Sequence, residues 1–95
     1  MLWHVLTVTV ADGEDIAPVL DELEALGKIE SVRSIQAGPL LGDETGRRYG
    51  LVVGFDDEAG LKEYIHHPDH EAVVPKLRAC AEPGSITVFD VLPRS

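Results

Sequence analysis

Hydrophobic positions in this chain recur at two periods, and each change of period marks an element. From residue 2 to residue 10 the period is two. Leu2, His4, Leu6, Val8 and Val10 point one way, and Trp3, Val5, Thr7 and Thr9 point the other. Both sets are largely apolar or β-branched, which predicts a central strand covered on both faces, with a histidine among its aliphatic positions. After a turn at residues 11–13, Ile16, Val19, Leu20, Leu23 and Leu26 follow at helical spacing behind an N-cap at Asp15, and Gly27 ends the run. Residues 31–37 read as a half-buried edge strand and residues 38–46 as a loop. Residues 49–55 form the next strand; Gly50 and Gly54 share one of its faces with Val52, so something approaches that backbone closely.

Asp56 or Asp57 then caps a helix running toward His66, with Leu61, Tyr64 and Ile65 as its inward stripe. Pro68 interrupts it, because proline lacks an N–H and restricts the residue before it. The pattern resumes at once: His70, Val73, Val74 and Leu77 stand at i, i+3, i+4 and i+7. This second segment, residues 68–81, carries Pro75. An interior proline costs about 3 kcal/mol, which predicts a kink or two short pieces, the second starting near Pro75. Pro83 and Gly84 turn the chain into a last strand at residues 85–92, and residues 93–95 are tail.

The order strand, helix, strand, strand, helix, strand is the split βαβ pattern of an α+β, ferredoxin-like fold. It predicts one domain over residues 1–95, a four-stranded antiparallel sheet and helices on one face. Trp3, Val5 and Val52 then fall on one side and Leu6, Val8 and Val53 on the other, and the helices can cover only one set. An uncovered patch of several hundred Å² is uncommon on a monomer, so the pattern predicts a homodimer with sheets packed face to face.

Composition removes several functions. The chain has 95 residues and a formal net charge of −9; phosphate neutralisation needs clustered Lys and Arg, so nucleic acid is not an expected partner, and neither is an anionic membrane surface. The longest uncharged run, residues 1–11, is shorter than the roughly 20 residues of a membrane span. A single cysteine, Cys80, excludes an internal disulfide and reads as a small buried filler. With no basic residue ahead of the apolar start, a signal peptide is not indicated. A cytoplasmic protein is expected.

The chemistry concentrates at Tyr64-Ile65-His66-His67-Pro68-Asp69-His70, where an imidazole and a phenol turn inward around a helix break. Neutral His70 can accept a proton near neutrality, and the Tyr64 hydroxyl can donate to an enolate oxygen. Equally, His70 can be a core histidine pinned to a backbone carbonyl, and Tyr64 a half-buried aromatic. His4 either orients a ligand, bonds to His70 or is structural. His67 is expected to cap the helix that follows through its imidazole, and His66 to face solvent. A small-molecule pocket lined by His4, Leu6, Val8, Leu23, Tyr64, His70 and Val73 is the leading reading. Its chemistry would be cofactor-free proton transfer on a small hydrophobic or aromatic carbonyl compound. A non-catalytic dimer and a cofactor-independent monooxygenase are the alternatives. His67-x-x-His70 has ligand-like spacing, but Pro68 interrupts the helix that would align the pair, and no metal site is expected.

Trp3-His4-Val5, Arg33, the run from Tyr49 to Phe55 and above all the Tyr-x-x-His-Pro-x-His stretch from Tyr64 to His70 resemble the stress-responsive dimeric α/β-barrel (Dabb) family. The resemblance covers nearly the whole chain. It implies a ferredoxin-like protomer and a dimer whose two sheets form a barrel. Some members are cofactor-free polyketide cyclases, which implies aldol-type ring closure by the residues matching Tyr64 and His70, with His4 lining the pocket. The cyclase pocket has aromatic residues on the first helix; here that helix offers Val19, Leu20 and Leu23.

Overall fold

The computed structural model describes residues 1–94. The sheet is built on β1 (Leu2–Thr9), whose alternation leaves Leu2, His4 and Val8 buried and the residues between them partly exposed. β3 (Arg48–Phe55) pairs along one edge of β1, from Leu2 opposite Phe55 to Thr9 opposite Arg48. β4 (Thr87–Val91) pairs along the other, from Trp3 opposite Val91 to Thr7 opposite Thr87. β2 (Ser34–Pro39) closes the β3 side as an edge strand. The order β2-β3-β1-β4, antiparallel throughout, is the ferredoxin-like arrangement that the element order predicts.

Three helices supply the cover. α1 (Ala17–Glu24) runs on into a 3-10 turn at Ala25–Lys28. Its cap sits at Ile16; Asp15 acts one residue earlier than a standard cap, its Oδ1 accepting from the Ala17 N–H at 3.0 Å. Gly27 lies inside the 3-10 turn and does not adopt a positive φ. A β-carbon there would meet the Ile35 Cγ2 atom at 2.9 Å, so close approach to β2 selects this glycine, not chain reversal. β2 starts at Ser34, later than expected, because the residues before it still turn, the Val32 N–H donating to the Ile29 carbonyl at 2.9 Å.

α2 (Glu58–Ile65) is capped by Asp57, whose carboxylate accepts from the Gly60 N–H at 3.0 Å. α3 (Pro68–Cys80) runs as one helix through Pro75, so the expected second piece is not formed. Pro75 and Glu71, the residue whose carbonyl loses its partner, both face solvent, and water can serve that carbonyl. Cys80 is buried and its Sγ donates to the Leu77 carbonyl at 3.3 Å, as a filler should. Among the described residues no helix is long and apolar enough to cross a membrane.

One core fills the space between helices and sheet, with Val53, Phe55, Leu51 and Tyr64 fully enclosed. The opposite sheet face is bare. There Val52, Phe89 and Val91 remain 40%, 47% and 43% exposed. They lie in register beside Val5 and Trp3, so the apolar face is continuous across β3, β1 and β4. The glycines that share this face are crowded as the pattern anticipates: a β-carbon on Gly54 would meet Ser34 Oγ at 2.7 Å and Trp3 Cζ3 at 3.0 Å.

Candidate functional site

The break between α2 and α3 is built by its own residues. His67 takes an extended conformation, as a residue before proline must, and serves as the N-cap of α3. Its Nδ1 accepts from the Asp69 N–H at 3.1 Å, which is the capping role expected of it. Pro68 then occupies the first helical position, where a missing N–H costs nothing. This sets His70 in the first turn with its ring toward the sheet; His66 stays exposed.

Opposite His70, β1 presents His4, only 6% exposed. The strand register puts Asp90 of β4 beside it, and His4 Nδ1 lies 2.6 Å from Asp90 Oδ1. An ionised carboxylate only accepts, so Nδ1 carries the proton and Nε2 is left for other work. Tyr64, from α2, packs beside both imidazoles. Its ring centroid is 5.9 Å from that of His4, 4.7 Å from that of His70 and 5.2 Å from that of Phe55. Burial pushes the Tyr64 hydroxyl up to about 12, so it keeps its proton throughout the working range.

The His70 pKa is held below the usual imidazole value. Desolvation is the main cause; the backbone of Ile65 opposes it, and the charge field of His4 adds to it. Its Nδ1 is buried without a hydrogen-bond partner. The Ile65 carbonyl is the backbone group that favours a proton on this ring, and it leaves Nδ1 itself unsatisfied.

Both imidazoles border a hollow of about 270 Å³, open on one side. Leu6, Ile65, Val74, Leu77, Ile86 and Val88 supply apolar walls, and Arg78 a cationic one. Of the residues expected to line a pocket, His4, Leu6 and His70 do so. Val8 and Leu23 do not border it; both are packed in the core. Val73 turns to the other side of α3, where it borders a separate depression with Leu26 and Lys28. Tyr64 is 1% exposed and touches both histidines from behind, without bordering the hollow.

Asp90 is the side chain of the candidate site that sequence reasoning missed. The signal was present: Ile86, Val88 and Asp90 share one face of a strand, and a carboxylate in line with two aliphatic residues needs a partner. Among the described residues no three His, Cys, Asp or Glu side chains gather as a metal-binding group.

The family model described as the stress responsive A/B barrel domain matches residues 2–92. No curated protein matches the sequence. Among solved structures, a protein from Arabidopsis thaliana superposes with a TM-score of 0.85 at 22% identity, covering 100% of this chain and 97% of that one. A dimeric ferredoxin-like protein of unknown function from Thermobifida fusca gives 0.79 at 20% identity, over 95% and 88% of the two chains. The hydroxynitrile lyase of Passiflora edulis gives 0.84 at 14% identity, over 98% and 93%. At these identities the likeness is one of fold.

Proposed function

The chain belongs to the stress responsive A/B barrel domain family, and on that premise we propose that it is a dimer whose protomers each bind a small hydrophobic carbonyl compound and move a proton on it without a cofactor. The reading rests above all on His70: an imidazole at the wall of a hollow, biased toward its neutral form, with a buried Nδ1 that packing alone leaves unsatisfied. Leaving such an atom unpaired costs on the order of 1–3 kcal/mol, which a purely structural residue would be expected to avoid.

In this reading His70 removes a proton next to a carbonyl and returns it later. His4, held in one orientation by Asp90, meets the carbonyl oxygen through Nε2 and donates to it when it carries a second proton, with the Asp90 carboxylate balancing the charge. Tyr64 sets the planes of both rings from behind, a positioning role in place of the direct hydroxyl donor that its sequence position suggests. A polyketide-like or aromatic ketone suits the apolar walls. A hydroxynitrile lyase on the same fold shows that such a scaffold hosts lyase chemistry. The bare sheet face and a dimeric relative support the pairing of two chains.

Deuterium incorporation next to the carbonyl of a soaked methyl ketone in D₂O, followed by NMR, tests the chemistry with no knowledge of the natural substrate. Wild-type protein is expected to accelerate exchange, and His70→Ala to lower that rate by about 10²-fold or more, the usual worth of a positioned base. Exchange that is equally fast in the variant, or absent in wild type across a ketone panel, ends the catalytic reading.

A further inference from the structure

We infer that the hollow takes a carbonyl compound whose far end carries a carboxylate, and that Arg78 is the residue that selects it. This inference rests on the proposed carbonyl site and names its substrate class. Two chemically distinct groups line the hollow: the imidazoles of His4 and His70, with His70 in the first turn of α3, and Arg78 two turns further along that helix. His70, Val74, Leu77 and Arg78 follow one another along a single face of α3. Eight residues of helix separate His70 from Arg78, roughly 12 Å along the axis. Between them the walls are aliphatic.

Arg78 is free to hold a ligand. Lys28, Arg33, Arg47 and Lys76 all lie within ion-pair distance of carboxylates, at 3.5, 2.9, 4.0 and 2.7 Å. Among the described residues Arg78 forms no ion pair; Glu82, one turn further on, is drawn to Arg47 instead. Arg78 and Ile86 also border a second hollow of about 340 Å³, formed with Glu82, Pro83 and Gly84. Arg78 therefore lies where the apolar hollow meets a second one bordered by the exposed residues Glu82, Pro83 and Gly84. That is where an amphipathic molecule would leave its charge, and a planar guanidinium grips a carboxylate through two parallel hydrogen bonds. In a chain of net charge −9, a lone cation at the mouth of an apolar hollow also sets the sign of the ligand it admits.

Three probes share one carbon skeleton: 7-oxooctanoate, its methyl ester and 2-octanone. Titration of each into the full-length protein, followed by amide shifts in NMR, gives three affinities. The acid is expected to bind about tenfold or more tightly than ester or ketone, since a charge-assisted pair adds that much, and the margin should shrink with salt. Arg78→Gln should bring the three affinities together, the acid losing its margin over ester and ketone; Arg78→Lys should keep part of the margin. Arg78 is exposed, so neither variant should unfold the chain. Equal binding of acid and ketone by wild type, or a margin that survives Arg78→Gln, overturns the role of Arg78 and leaves the carbonyl site standing. If none of the probes shifts amides around His4 and His70, the carbonyl site falls as well.

Discussion

His70 and Tyr64 are perturbed in opposite directions by one cause. Each has lost water, and each therefore resists its charged form. For His70 this means that the unfolded chain binds its proton more readily than the folded one, so stability should fall as pH drops below the ordinary imidazole value of 6.5. Thermal melts between pH 7 and pH 5 should show this decline, and His70→Asn should flatten it. For Tyr64 the sign reverses: stability holds below the ordinary value of 10.0 and declines from there toward 12, as the unfolded chain ionises first. Asp90 acts through orientation. Asp90→Asn keeps the shape but removes the demand for an Nδ1–H on His4, so ketone exchange should drop by about tenfold to a hundredfold while the melting temperature moves little, Asp90 being exposed on the strand.

Among the elements, α3 is the one whose sequence argues against itself. Pro75 removes a hydrogen bond from its interior, yet the helix continues because Val73, Leu77 and Cys80 bury the opposite side. Tertiary packing outweighs local cost here, as it does for most helices. Pro75→Ala should therefore stabilise the protein, by about 1–2 kcal/mol, since the restored helical bond exceeds the entropy that proline removes from the unfolded chain. In a domain of this size that is a rise of roughly 5–15 °C in melting temperature. β3 makes the reverse case. Gly54→Ala would drive a β-carbon against the Trp3 ring, an overpacking expected to cost about 1–3 kcal/mol in denaturant unfolding.

For the whole molecule, the decisive feature is that the sheet has two apolar faces and the helices cover one. The row Val52, Val5 and Phe89 beside Trp3 and Val91 is too continuous to be scattered surface hydrophobicity. Burying a partly exposed Val or Phe contributes at about 25 cal/mol per Å², and a self-paired face counts every residue twice. Light scattering during chromatography at micromolar concentration should give the mass of two chains. Val52→Lys, which puts a charge in the centre of that face, should give the mass of one, with the protomer's ketone site still able to bind.

The element order, the strand alternation, the His67 cap and the inward turn of His4, Tyr64 and His70 could all be read along the chain, because each depends on neighbours within a few residues. The continuity of α3, the reason for Gly27 and the pairing of Asp90 with His4 could not. They depend on which residues fold opposite one another, 86 positions apart in the case of that pair. The hollow itself belongs with these. Which side of α3 borders it, Val74 and Arg78 and not Val73, follows from how the helix is rotated over the sheet, and helical spacing alone leaves that rotation open.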